Sequence, residues 1–102
     1  MPHVSSLDEL WELVRSVPKG RVTSYGALGA AMHNPASGYM VGRWMAQAPE
    51  GVPWWRVVAK TGSLPIGKRD PYLSLDQRHL LSREGVGFQG DLVDMDAHMW
   101  LP

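Results

Sequence analysis

No cysteine occurs in the 102 residues, and that absence removes disulfide staples, thiolate metal sites and a thiol nucleophile together. No apolar run approaches the roughly 20 residues that span a bilayer, and the start lacks the basic stretch followed by an apolar one that marks a secretory leader. The expectation is a soluble intracellular protein with no membrane partner. An excess of one charge is also missing: ten Lys and Arg stand against ten Asp and Glu, where nucleic-acid-binding domains usually show a basic surplus. No internal repeat or low-complexity stretch interrupts the chain. Its length suits one core, hence a single domain over residues 1–102.

What is present is an uneven distribution of that balanced charge. From Arg15 to Arg69 there are eight basic residues (Arg15, Lys19, Arg21, Arg43, Arg56, Lys60, Lys68, Arg69) against one acid, Glu50, a net +7. The acids collect in the first 14 residues and after Arg69, at net −3 and −4. A basic middle between acidic ends suits a polarised surface that draws a phosphate backbone to one face, although charge blocks also serve simply to solvate a fold. The histidines His3, His33, His79 and His98 are scattered. Without cysteine to join them, no zinc, other metal or cofactor is expected.

Hydrophobic periodicity and capping residues outline the elements. Ser6 and Glu9 read as a capping box before Leu7, Leu10, Trp11, Val14 and Val17 at helical spacing, with Pro18 and Gly20 stopping the pattern. Trp11 lies on the apolar stripe and belongs to the core. Thr23 or Ser24 caps a second helix from Tyr25 to about Met32, ended by Asn34-Pro35. A third, roughly Ala36 to Ala48, presents Val41, Trp44, Met45 and Ala48 inward, so the pair reads as a helix-turn-helix. Gly38, Gly42 and Ala46 form a stripe of small residues on it. Each mid-helix glycine costs about 1 kcal/mol relative to alanine, so another helix or a nucleic-acid backbone is expected to approach closely.

Pro53-Trp54-Trp55-Arg56-Val57-Val58 reads as a strand, in which Trp54 and Trp55 point to opposite faces. It is followed by a turn at Lys60-Thr61-Gly62, a second extended piece from Ser63 to Ile66, and a surface loop, Gly67 to Pro71. Ser74 and Gln77 read as a capping box for a helix running to Glu84 and stopped by Gly85. Val86 to Pro102 shows no clear period.

The Pro53–Val57 stretch resembles the Pro-Cys-His-Arg-Val motif of the O6-alkylguanine-DNA alkyltransferases and, more closely, the Pro-Trp-His-Arg-Val motif of the alkyltransferase-like proteins. Trp54 stands at the cysteine position and Trp55 at the histidine position. The resemblance extends through Gly20-Arg21-Val22-Thr23-Ser24-Tyr25, Val41-Gly42, Lys68-Arg69-Asp70 and Glu84-Gly85-Val86, in order and at matching spacing. It implies a small α/β domain with a winged-helix-like helix-turn-helix, as in the C-terminal domain of the alkyltransferases.

Removing an alkyl group from guanine O6 needs an activated thiolate, which Trp54 cannot supply, so the chain is read as non-enzymatic. A base within a duplex is inspected for an O6 substituent only once it is unstacked. The resemblance implies that double-stranded DNA containing O6-alkylguanine is bound through the minor groove and its damaged base flipped into a pocket. Tyr25 would press on the adjoining phosphate, the main-chain carbonyls of Trp54 and Val57 would accept from the guanine amine, and Trp54 would wall the pocket. Arg69 would lie against the base or its alkyl group. On position alone, Tyr25 also fits a core tyrosine and Arg69 a solvated loop cation. Where the family inserts an arginine into the base stack this chain has Tyr39, with Arg43 one helical turn on; either is a candidate for that role. Glu84 resembles an acid of the alkyltransferase relay and, its partners gone, is read as a structural group at a helix end.

The resemblance further implies hand-over to nucleotide excision repair proteins, action as a monomer, and a place in the cytoplasm at the nucleoid, or in a nucleus. Two other classes compete. A helix-turn-helix regulator reading the major groove would want Asn, Gln or Arg where Ala36, Ser37 and Gly38 stand. A protein-interaction module anchored on paired tryptophans would need no basic middle.

Overall fold

The computed structural model describes residues 6–102; His3 lies outside them. Helix α1 (Ser6–Arg15) buries Leu10, Trp11 and Val14 along one stripe, and Asp8 and Glu9 occupy its first turn, where carboxylates meet the positive end of the helix dipole. Ser6 is already helical, so it is not the cap. Glu9 instead accepts the His33 N–H at 2.9 Å, which ties α1 to the turn beyond the second helix and replaces the expected Ser6–Glu9 box.

Strand β1 (Thr23–Ser24) runs directly into α2 (Tyr25–Ala31), and of the two candidate caps it is Ser24 whose hydroxyl accepts the Ala27 N–H, at 3.0 Å. Ser37 caps α3 (Gly38–Met45) by accepting from Met40, so this helix is shorter at both ends than its apolar pattern suggested. Two glycines let the pair close: a Cβ on Gly29 would run into the Ala36 carbonyl, and one on Gly38 would stand 3.2 Å from the Gly26 nitrogen.

The expected strand at the paired tryptophans is shorter than the sequence suggested. Residues Trp54–Arg56 form one turn of 3-10 helix, and only Val57–Val58 is extended, as β2. Trp54 N–H bonds Val52 O at 2.8 Å and Arg56 N–H bonds Pro53 O at 3.1 Å. The β-branched pair that follows runs parallel to β1, Thr23 opposite Val57 and Ser24 opposite Val58. Because strand neighbours face opposite ways, Val57 enters a cluster with Leu10, Trp11, Val14, Leu28, Met32, Val41 and Val52, while Val58 enters one with Val22, Leu81, Val86 and Val93. The short ribbon thus joins two cores.

A second 3-10 turn, Pro65–Lys68, stands where an extended piece was expected. Helix α4 (Pro71–Arg83) starts earlier than the Ser74–Gln77 pattern suggested: Asp70 caps it through the Tyr72 N–H at 2.9 Å, with Pro71 at its first position. Ser74 lies inside the helix and donates to Pro71 O. The tail, without period in sequence, forms an antiparallel hairpin of β3 (Phe88–Gln89) and β4 (Leu92–Val93) and a short α5 (Met95–His98). It returns to Val22, the residue before β1, Val22 N–H bonding His98 O and Trp100 N–H bonding Val22 O. No helix of the described residues is long and apolar enough to cross a membrane.

Candidate nucleic-acid interface

The turn at Trp54–Arg56 sends its two indoles to different places. Successive residues of a 3-10 helix are separated by about 120°, and the rings meet edge to face, with centroids 6.1 Å apart and planes at 86°. Trp54 lines a cavity, whereas Trp55 packs against the Val22–Val58–Leu81 cluster. The two rings do part company, through the geometry of the turn and not by the strand alternation expected of them.

The cavity has a volume of about 490 Å³, within the roughly 300–1,000 Å³ common for small-ligand sites. Tyr25 contributes from the start of α2; Gly38, Tyr39, Gly42, Arg43, Met45 and Ala46 form the α3 wall. Trp54 closes a third side, and Pro65, Ile66, Lys68 and Arg69 a fourth. Tyr25, Tyr39, Arg43, Trp54 and Arg69 are therefore brought together around one space. Tyr39 and Arg43 share it, which leaves both on the helix face where the resemblance implies an intercalating side chain; Tyr39 is 72% exposed. Val57 stands apart. Its side chain is fully buried, it does not line the cavity, and its carbonyl accepts from Gln77 Nε2 at 2.9 Å.

The small-residue stripe on α3 divides between two uses. Gly38 serves the close packing on α2, while a Cβ on Gly42 would meet Tyr25 Cδ1 only at an ordinary 3.9 Å, so nothing in the fold crowds Gly42, which lines the cavity. Lining residues include three cations, Arg43, Lys68 and Arg69, and no carboxylate. Burial raises the Tyr25 hydroxyl above its usual pKa, and the Arg69 charge pulls the other way. Tyr25 is consequently a neutral hydroxyl at physiological pH, able to donate to a phosphate or carbonyl oxygen.

Three other members of the basic block have partners within the protein, while Lys19 and Lys60 are exposed. Arg15 pairs with Glu12, and Arg21 donates to Ala97 O. Arg56 makes two bonds to Glu84, Nε to Oε1 at 3.0 Å and NH2 to Oε2 at 2.7 Å, and a third to Val17 O. Glu84 also accepts from Trp55 Nε1 at 3.1 Å and, at 3.5 Å, from the Gly20 N–H. It sits at the C-terminal cap of α4, the helix end expected of it, but it is far from partnerless. Burial on its own would raise the Glu84 carboxyl; bonds from Arg56 and Trp55, the Arg56 charge and the Gly20 N–H outweigh that and hold it below the usual carboxylate range.

Gln77 is the residue whose role the sequence concealed. Read there as half of a capping box, it is 1% exposed and its amide donates to the carbonyls of both Trp55 and Val57. It pins the middle of the 3-10 turn and the start of β2 to α4. A glutamine on the buried face of a helix was the available signal, since such an amide needs buried partners. Among the described residues no three His, Asp or Glu side chains converge as a metal site would need.

Comparison with known proteins agrees with this geometry. The family model of the 6-O-methylguanine DNA methyltransferase DNA-binding domain matches residues 6–86. A DNA base-flipping protein of Escherichia coli K12 is 32% identical over 94 residues, 89% of this chain and 70% of that protein. One from Vibrio parahaemolyticus is 31% identical over 83 residues, 78% of this chain and 79% of that protein. The crystal structure of S. pombe Atl1 in complex with damaged DNA containing O6-carboxymethylguanine superposes over the full length of both chains, with a TM-score of 0.82 at 26% identity. The small α/β fold expected from the motifs is the fold found.

Proposed function

The chain belongs to the family of the 6-O-methylguanine DNA methyltransferase DNA-binding domain, and from that premise we propose that it recognises O6-alkylguanine in duplex DNA without repairing it. Residues 1–102 act as one DNA-binding unit, monomeric on its duplex. The helix-turn-helix meets the minor groove, the damaged nucleotide leaves the stack, and its base enters the cavity between α3 and the Trp54 and Arg69 walls. Flipping costs a few kcal/mol of stacking and pairing, less for a damaged pair, and Tyr39 or Arg43 fills the vacated space.

The observation that carries this reading is the cavity itself, with aromatic walls, three cations and no carboxylate in its lining. Arg43, Lys68 and Arg69 suit the phosphates flanking an extruded base, and phosphate contacts position a protein while the pocket discriminates. Trp54 offers an apolar face to an alkyl group and has no nucleophilic atom. With no cysteine anywhere in the chain, no residue accepts the alkyl group, so the lesion stays in the DNA and the bound complex is what nucleotide excision repair proteins would recognise. Val57 takes part through the second lone pair of a carbonyl that Gln77 already uses.

Binding to matched oligonucleotides with guanine or O6-methylguanine at one position tests the reading. We expect tighter binding to the modified duplex and full recovery of O6-methylguanine afterwards. Equal affinity for both duplexes would move the protein to the class of sequence-reading regulators, and recovery of plain guanine would contradict the absence of chemistry.

A further inference from the structure

Trp54 presents its ring to the cavity, and the aromatic contact that steadies it is the edge-to-face one with Trp55. Trp55 in turn is held from three directions. Its Nε1–H donates to Glu84 Oε2 at 3.1 Å, the Arg56 guanidinium lies 5.6 Å from its ring centroid, and its carbonyl accepts from Gln77 at 3.0 Å. Glu84 is fixed by its two bonds from Arg56. An ordered chain of contacts therefore runs from a largely buried carboxylate, through one indole, to the indole in the cavity wall.

We propose that Glu84, acting through Trp55, is a positioning residue that sets the Trp54 wall and so determines which size of O6 substituent the cavity accepts. The inference rests on the lesion-binding reading and goes beyond it in placing size selection outside the cavity lining. The carboxylate fixes the rotation of the Trp55 ring because an indole N–H is a single directional donor. The edge of that ring then limits how far Trp54 can tilt. The Arg56–Glu84 pair supplies rigidity, its side chains being 15% and 10% exposed.

Two substitutions cut this chain at different links. Trp55→Phe keeps an aromatic ring on the Val58 cluster and removes the donor. Glu84→Gln exchanges one oxygen for an amide NH2; the Arg56 guanidinium retains the remaining oxygen, because charge-assisted bonds are the stronger, and the Trp55 N–H then faces a donor. Affinities of the wild type, both variants and the double variant are measured for one duplex carrying guanine, O6-methylguanine or O6-benzylguanine, below the unfolding temperature of each protein. The expected result is a change of about two- to tenfold in the benzyl-to-methyl affinity ratio, the worth of one edge-to-face contact. Affinity for the unmodified duplex should stay unchanged, and the double variant should go no further than either single one. A ratio unaltered by Trp55→Phe overturns the proposal, as do losses equal on all three duplexes, which would mark a purely structural role.

Should the wild type bind all three duplexes alike, the lesion-binding reading fails. The coupling is then decided by the Trp54 indole N–H resonance of the free protein. A displacement of that resonance in both variants upholds the chain of contacts, and an unmoved resonance overturns it.

Discussion

The cavity and the Glu84 knot lie on either side of one three-residue turn, and they treat the same residue types in opposite ways. On the cavity side Arg43, Lys68 and Arg69 face an opening with no carboxylate in its lining, and an indole is left half-covered. On the other side Arg56 is matched by a bidentate carboxylate, and the neighbouring indole spends its N–H on that same acid. A cation satisfied within the protein cannot also neutralise a phosphate, whereas an unmatched one releases counterions when DNA arrives. Position in the sequence does not separate the two kinds. Arg56 belongs to the same basic block as Arg43 and Arg69, yet contributes to the fold and not to the attracting face.

The largest test of the contrast is stability. Glu84→Ala leaves a mostly buried guanidinium, an indole N–H and the Gly20 N–H without their acceptor; breaking a fully buried pair costs about 3 to 5 kcal/mol, and this part-buried one lies toward the lower end. Arg43→Ala and Arg69→Ala, at exposed sites, should stay within about 0.5 kcal/mol of wild type. Urea unfolding of the three variants checks both sides, and comparable losses would erase the distinction. The same carboxylate predicts an acid limb. Its folded pKa lies below the ordinary 4.5, so its contribution is present above that value and disappears as pH falls through the lowered one. Glu84→Gln should lack that component of the pH dependence.

Next in size is Gln77→Leu. It strips donors from the Trp55 and Val57 carbonyls, at about 1 to 3 kcal/mol for a buried group left unsatisfied. Gln77 Oε1 is itself buried without a partner, so removing it recovers some desolvation and places the loss toward the lower end. Urea unfolding should show this loss, with no change in the binding of undamaged duplex. A stability equal to wild type would mean that the two carbonyls find other donors.

On the DNA side, Arg43→Ala, Lys68→Ala and Arg69→Ala should each lower the slope of log affinity against log salt by about 0.9 for every phosphate that the side chain neutralises. Arg15→Ala should leave it unchanged, because Arg15 lies on α1 and pairs with Glu12. A slope that responds to Arg15 and not to the cavity cations would place the DNA on another face.

The elements were legible where local rules act alone. A cap at Thr23 or Ser24, the Asn34-Pro35 break and the stripe of Leu10, Trp11 and Val14 follow from residues a turn apart. The paired tryptophans misled because an apolar run of five or six residues carries no reliable period, and Pro53 set a turn that the run concealed. Asp70-Pro71 was read as a breaker, although aspartate at a cap with proline next to it is equally a helix start. Five residues singled out from the motif resemblance and its departures line one cavity, because such a resemblance stores tertiary information that the pattern of one chain does not. Gln77 and Glu84 could not be placed locally, since their partners lie 20 to 29 residues away, and for Gly20 as many as 64.

The smallest expected effect probes the cavity with no DNA present. Tyr25 is raised above 10.0 by burial, while the Arg69 charge opposes the rise, so Arg69→Ala should move the Tyr25 pKa further upward. Tyr39 and Tyr72 are 72% and 77% exposed, and Tyr39→Phe with Tyr72→Phe leaves Tyr25 as the one phenol that an ultraviolet titration can report. The sign follows from which form the arginine favours: a nearby cation stabilises phenolate, and its removal leaves burial unopposed. Because the folded pKa exceeds the unfolded one, this group's contribution to stability is complete below 10.0 and is lost as pH rises through the folded value. Arg69→Ala should therefore extend that limb to higher pH. A titration unchanged by Arg69→Ala would mean that the arginine does not reach the Tyr25 side of the cavity, and the wall opposite α3 would have to be redrawn around Lys68.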